Sequence, residues 1–296
     1  MTLPNFLIIG APRSGTTSLH HYLRQHPDVF MPEGKEPSFF AFVDQRVPAE
    51  GPGAEWFQRS AVTSRAEYEA LFADARTPAI GEASPVYLIE PAAPARMREL
   101  IPAAKLIAIL RHPVERAHAA YLGSRRDGQD PARTFEEAVR DEEARLRRGW
   151  RFARHVNNGM YHRLLTGYYE AFPREQIRVY LFEDLVRDAR AVLRDLFAFI
   201  GADPEFVPDL SRRYGATGLI RNPVLSVLWR NSEVPRRVVR DLLPVSWRDR
   251  AFEWVTRDQV KPSIAPELRA ELIEHYRPDI LALQTLIGRD LSVWLR

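Results

Sequence analysis

Two glycines, Gly10 and Gly15, enclose a single cation, Arg13, and three hydroxyl residues follow the second glycine, Thr16, Thr17 and Ser18. Residues of these types at this spacing suit an anion. The glycines let the backbone turn tightly and come close to a ligand. The N–H groups of Ser14, Gly15, Thr16 and Thr17, backed by the dipole of a helix starting there, would converge on one spot. The chemistry on offer is phosphate binding. Phosphoryl transfer needs more: G-x-x-x-x-G-K-[ST] puts a lysine after the second glycine for the β/γ-phosphates and a hydroxyl on Mg²⁺. Here Thr16 stands in the lysine position, and no apolar strand ending in Asp offers a second metal ligand. By itself the loop is either a phosphate holder or a strand–turn–helix corner in which Gly and Thr only cap.

Three other stretches carry groups that could share such a site. In "EGKEPSFF", Glu33 to Phe40, a Lys35–Glu36 pair precedes two aromatics. Glu36 is either a general base or half of a surface ion pair. "GEASPVYL", Gly81 to Leu88, ends a strand. "ILRHPVERAHAAY", Ile109 to Tyr121, puts Arg111 at a strand tip, with Pro113 opening a helix. His20, His21, His118 and His162 are further base candidates. Each lies on a predicted helix, where a lone histidine is more often solvated or capping.

These groups need a frame. "NFLIIG" is a continuous apolar run ending in glycine, as expected of a parallel strand buried on both faces. Leu19, Tyr22, Leu23 and His26 then recur at helical spacing until Pro27. Residues 31–53 read as irregular. "RAEYEALFADA" reads as a helix, "PAIGEASPVYL" as a strand and turn, and 94–101 as a helix. Lys105 to Leu110 is the clearest strand, and a helix follows from about 114 to 122. "PARTFEEAVRDEEARLRRG" and "YHRLLTGYYEAF" read as helices. "QIRVYLFEDL" reads as a strand ending in acidic residues, and "ARAVLRDLFAFIG" as an amphipathic helix closed by Gly201. Strands alternating with helices at such intervals predict βαβ units and an α/β fold with a parallel sheet covered on both faces. Ligands of such sheets sit beyond the carboxyl ends of the strands. The loop at 10–17, the turn after Leu110 and the turn after Phe182 are expected to converge there.

A chain of 296 residues with 45% apolar content can build a sizeable core. Cysteine is absent, which excludes disulfides and thiolate metal sites. Net charge is +3, and Arg supplies all but Lys35, Lys105 and Lys261 of the 42 basic residues. This skew, beside abundant Ala, reflects base composition more than nucleic-acid binding. The opening "MTLPNFLIIG" has no basic n-region and no long apolar h-region, so no leader is expected. No apolar run approaches the roughly 20 residues of a membrane helix. A soluble, cytoplasmic protein is expected, built as one domain over 1–296. Residues 223–262 are expected to form a helical cap rich in Trp and Arg, with Trp229, Trp247 and Trp254 among eight basic and five acidic residues between Val224 and Lys261.

Taken together, "PRSGTTS", "GKEPSFF", "GEASPVYL" and "ILRHPVERAHAAY" resemble the sulfotransferases that use 3′-phosphoadenosine 5′-phosphosulfate (PAPS). The likeness is to bacterial sulfotransferase-domain proteins related to heparan sulfate 3-O-sulfotransferases and N-deacetylase/N-sulfotransferases. The tail "HYRPDILALQTLIGRDLSVW" resembles the closing helix of the bacterial members. The resemblance implies a P-loop-like three-layer fold with a central parallel sheet flanked by helices. It implies that Arg13, Ser14, Gly15, Thr16, Thr17 and Ser18 hold the 5′-phosphosulfate and that Arg111 reads the 3′-phosphate. "ATGLIRNP" resembles a later loop that closes over the nucleotide, with Arg221 as a phosphate contact. "GKEPSFF" lines up with the stretch carrying the catalytic glutamate of the 3-O-sulfotransferases, which makes Glu36 the base. Both patterns also pass through His-Pro-Asp-Val, here His26 to Val29.

Three positions depart from the family pattern. Arg13 replaces a frequent lysine, Ala83 replaces the lysine of "E-K-[ST]-P", and Ala119 replaces a serine that binds the 3′-phosphate. Lys35 is the cation available to stand in for the one missing at Ala83. The expected reaction moves a sulfonate from PAPS to a hydroxyl or amine of a carbohydrate, lipid or natural product. Neither metal nor nucleic acid is expected. The alternatives are a P-loop small-molecule kinase and a non-catalytic nucleotide-binding protein of the same fold.

Overall fold

A computed structural model describes residues 2–45, 47, 50–150, 154–211, 218–222, 224–227 and 259–296. Its first strand, β1 (Phe6–Gly10), is buried throughout. Side chains alternate across a strand, so its apolar run feeds two cores. Leu7 and Ile9 enter one with Leu106, Ala108 and Leu110; Phe6 and Ile8 enter the other with Ile107 and Ile109.

Four more strands join it: β2 (Val29–Phe30), β3 (Ala79–Ala83), β4 (Lys105–Leu110) and β5 (Ile177–Leu181). They form one sheet in the order β2–β3–β1–β4–β5. Every pairing is parallel, with Phe6 opposite both Gly81 and Lys105, and Leu106 opposite Ile177. All strand tips therefore point the same way, and β1 lies central.

Helices cover both faces, as the connections between parallel strands require. They are α1 (Thr16–Leu23), α2 (Phe39–Phe42), α3 (Ala54–Ser60), α4 (Arg65–Ala70), α5 (Ala93–Leu100) and α6 (Pro113–Arg126). The chain continues with α7 (Phe135–Arg140), α8 (Glu142–Arg147), α9 (Tyr161–Ala171), α10 (Phe182–Arg187), α11 (Ala189–Ile200) and α12 (Pro266–Ile287). Leu19 and Leu23 of α1 and Leu193, Leu196 and Phe197 of α11 close one core. Met97, Val114, Leu165, Leu272 and Leu283 from α5, α6, α9 and α12 close the other. Fully buried side chains such as Leu196 and Phe197 each contribute roughly 1.5–3 kcal/mol. The result is the three-layer, P-loop-like arrangement expected from the sequence.

Three local expectations need correction. The charged helix expected across 131–149 is two short ones, α7 and α8, with Asp141 between them. Thr134 caps the first by accepting from Glu137 N–H at 3.1 Å. The stretch 31–53 is not wholly irregular, because the aromatic run Phe39–Phe42 coils into α2 and buries all four residues. The acidic residues after β5 do not extend the strand: they open α10, where carboxylates favour a helix N-terminus. Most of the expected cap at 223–262, including Trp229, Trp247 and Trp254, lies outside the described residues. Of its described parts, 224–227 are helical, while Gln259–Val260 forms β7, antiparallel to β6 (Leu219–Ile220). Among the described residues, no helix is long and apolar enough to cross a membrane.

Candidate active site

The three turns expected to converge do so. Gly15 sits in the left-handed region at φ 97° and caps α1. A Cβ on it would also come within 3.0 Å of the Phe182 ring. Only glycine suits that place, because conformation and space both exclude a side chain. Phe182 in turn lies under Arg111, whose guanidinium carbon is 4.8 Å from the ring centroid. The turn after β4 is tied to the turn after β5 by His112 N–H, which donates to Glu183 Oε1 at 2.9 Å. Tyr161 Oη donates to the Arg111 carbonyl at 2.9 Å.

Within the glycine loop one expectation changes. Ser14 N–H does not face the anion space; it donates to the Ala11 carbonyl at 3.2 Å. The cause is a tight turn in which Arg13 takes a left-handed φ of 67°. Thr16 and Thr17 open α1, so their N–H groups have no acceptor within the helix. With Gly15 and Ser18 they border the space before α1. Ser14 and Thr16 are buried, while Gly15, Thr17 and Ser18 keep partial exposure.

Arg13 reaches out of its loop to α6, where its guanidinium packs against Gly123. Burial, and then the charge of Arg126, hold its pKa below the ordinary value. The carboxylates of Asp127 and Glu36 pull the other way. Arg13 and Glu36 are thus within electrostatic reach of each other.

Glu36 is held in an unusual turn. It has φ 68°, and its N–H donates to the carbonyl of Ala83, at the tip of β3, at 3.2 Å. Its side chain is 41% exposed, and Oε1 accepts from Lys35 Nζ at 2.5 Å. Lys35 is thus paired with the residue whose N–H is held by Ala83. Burial and then the Lys35 charge push His20 down to about 3. Burial and then Lys261 push His118 down to about 4. Both rings are buried, against the expectation of solvated helical histidines. His21 and His162 are partly exposed.

Arg111 heads a charged group of its own. Glu115, one helical turn on, has Oε2 3.8 Å from an Arg111 terminal nitrogen. The same carboxylate accepts from Lys261 at 3.0 Å and from Arg269. Burial would raise Glu115, but hydrogen bonds and charge from Lys261 and Arg269 carry it down to about 2. Three cations share one carboxylate, so the strand tip keeps an excess of positive charge. Arg221 is exposed at the end of β6, a strand that packs on α6. Ala119 is buried on α6 and presents no polar group.

Sequence reasoning passed over a buried carboxyl behind this site. Glu82 of β3 is 1% exposed. It accepts from Tyr87 Oη at 2.6 Å, Ser84 Oγ at 2.9 Å and Tyr68 Oη at 3.3 Å. Burial raises its pKa, and the three hydroxyl bonds offset part of the rise, leaving it at about 7. The signal was present: one acid inside an otherwise apolar strand is uncommon unless partnered.

Known proteins share this architecture. The profile of the sulfotransferase family matches residues 4–205. The crystal structure of a sulfotransferase from Alicyclobacillus acidocaldarius superposes with a TM-score of 0.79 at 33% identity, covering 100% of both chains. Mouse heparan sulfate glucosamine 3-O-sulfotransferase 3B1 is 30% identical over 291 residues, 98% of this chain and 65% of that protein. The membrane-associated sulfotransferase kil1 of Dictyostelium discoideum is 34% identical over 121 residues, 41% of this chain and 23% of that protein. The chain spans less than two thirds of the length of each of these last two relatives. A profile that runs from before β1 to beyond α11, and a bacterial structure matched end to end, lead to one assignment: the chain belongs to the sulfotransferase family of enzymes.

Proposed function

We propose that the protein transfers a sulfonate group from PAPS to a hydroxyl of a carbohydrate acceptor, with Glu36 as the general base. One observation carries the reading. A glycine loop lacking the lysine of nucleoside-triphosphate loops follows β1, and the partly exposed Glu36 carboxylate stands on a turn fixed to Ala83 of the neighbouring strand β3. The likeness of 98% of the chain to an enzyme named for heparan sulfate glucosamine favours a carbohydrate over the lipid and natural-product alternatives.

The residues fit the donor. The first-turn N–H groups of α1, from Gly15 to Ser18, and the Arg13 guanidinium suit the 5′-phosphosulfate end. Arg111, with Lys261 and Arg269 near it, suits the second phosphate, and Arg221 stands further out on the α6 side. PAPS supplies the sulfonate, and 3′-phosphoadenosine 5′-phosphate (PAP) is the leaving group. The Glu36 carboxylate takes the acceptor's proton as the acceptor oxygen bonds to sulfur. Arg13 and the N–H groups meet the negative charge that collects on the oxygen leaving with the phosphate. Lys35 offers its ammonium to the sulfonate oxygens once Glu36 has turned to the acceptor. The reading gives no role to a metal.

Calorimetry with PAP and with ATP, each with and without EDTA, tests the donor. PAP should bind equally well in EDTA. ATP binding that needs Mg²⁺, with weak PAP binding, would favour a kinase instead. Labelled PAPS incubated with a panel of host carbohydrates, lipids and metabolites then identifies the acceptor through the mass of one added SO₃.

A further inference from the structure

The Glu36 turn is costly to hold. Glu36 and Ser38 both adopt left-handed φ angles, 68° and 60°, although neither is glycine. Glu36 also precedes Pro37, and a residue before proline prefers an extended backbone. Left to itself this turn would relax, and the Glu36 side chain would swing with it. Something must over-determine the conformation.

The structure shows what does. Ser38 N–H donates to Ser84 Oγ at 2.9 Å, and Ser38 Oγ donates to the Glu36 carbonyl at 3.1 Å. Glu36 N–H is fixed on the Ala83 carbonyl. The turn is thus pinned at two points to the tip of β3. One of them, Ser84, can accept from Ser38 only if its own proton points elsewhere. The Glu82 carboxylate, when ionised, ensures this, since Ser84 Oγ–H donates to Glu82 Oε2 at 2.9 Å. Tyr87 and Tyr68 occupy Glu82 Oε1, so Oε2 is left to serve Ser84. Glu82, Ser84 and Ser38 are all buried, and no water is needed to complete the chain.

We infer that Ser84, with its hydroxyl oriented by Glu82, is a positioning residue that fixes the backbone turn from which the Glu36 carboxylate reaches the acceptor. The inference rests on the reading of Glu36 as base. Ser84 touches no reacting atom; it acts through Ser38 and the backbone of the turn. Ala83, between Glu82 and Ser84, gives its carbonyl to the turn and its methyl to the core beneath α1.

The test compares Ser84→Ala, Glu36→Gln and the double variant, following PAP release from PAPS with water as acceptor. Glu82→Gln is a second probe: its amide would donate to Ser84 Oγ and take the lone pair that Ser38 uses. In Ser84→Ala and Glu82→Gln, kcat should fall roughly 10- to 100-fold, the scale of a small misplacement of a catalytic group. The KM for PAPS should stay unchanged. Ser84→Ala should cost nothing further in the Glu36→Gln background. Without any donor present, amide hydrogen exchange over 35–39 should quicken in Ser84→Ala. Normal turnover and exchange in Ser84→Ala, beside a crippled Glu36→Gln enzyme, overturns the inference alone. Losses that multiply in the double variant overturn it too. A Glu36→Gln enzyme with full turnover overturns the underlying reading of Glu36.

Discussion

The guanidinium of Arg13 fills the space that a side chain at position 123 would need: a Cβ built on Gly123 falls 2.5 Å from Arg13 Cζ and 2.9 Å from a terminal nitrogen. Gly123 lies inside α6, where glycine is otherwise unfavourable by roughly 0.5–1 kcal/mol relative to alanine. The helix therefore carries a weak residue where the phosphate loop's cation must lie.

Gly123→Ala separates stability from function. The added methyl meets the far end of a flexible side chain, so Arg13 should move and the helix should not. Thermal midpoint should hold or rise slightly. The Kd for PAP should increase roughly 10- to 100-fold, the scale of one lost hydrogen bond to a charged group. A variant with a lowered midpoint and unchanged PAP affinity would show that Arg13 has no part in binding the donor.

Arg111→Ala should narrow the preference for PAP over adenosine 5′-phosphate. Arg111 lies at the tip of β4, over the Phe182 ring that also borders Gly15. A charge-assisted pair to phosphate is among the stronger contacts a site can offer. Competition binding with both nucleotides reads the effect. Equal losses for the two would assign Arg111 to the fold instead of to the second phosphate.

The buried acid makes a prediction about pH. Glu82 is raised from 4.5 to about 7 by burial, against the pull of its three hydroxyl partners, and Glu36 nearby adds to the rise. Between these values the folded protein keeps a proton that the unfolded chain releases. Stability from this group is fully present below about 4.5 and is lost as pH climbs through about 7. The slope is at most about 1.4 kcal/mol per pH unit. Urea unfolding across that window should show a decline that Glu82→Gln flattens. Identical slopes in the two proteins would mean that Glu82 keeps an ordinary pKa.

Much of this was legible in the sequence. The run from Phe6 to Gly10 announced a strand buried on both faces, and Lys105 to Leu110 announced another. Their order along the chain was enough to predict a parallel sheet and the meeting of its tips. The contact of Arg13 with Gly123 was not legible, because it joins residues far apart in sequence through a left-handed turn that no motif specifies. The buried state of His20 and His118 was missed because helical spacing does not say which faces are covered. Glu115 was hidden for a related reason: its partners Lys261 and Arg269 arrive from a distant segment. The role of Ser84 depends on where its proton points, which only the geometry around Glu82 reveals.

The central claim is that Glu36 takes the acceptor's proton while other residues hold the donor, and Glu36→Gln tests it most directly. The amide keeps the shape of the side chain but cannot accept that proton. Turnover should fall by roughly 10²–10⁴-fold, the usual scale of general-base catalysis, while PAP affinity stays the same or tightens slightly. A variant that keeps more than about a tenth of wild-type turnover, outside that range, would contradict the claim and move the base role to a histidine.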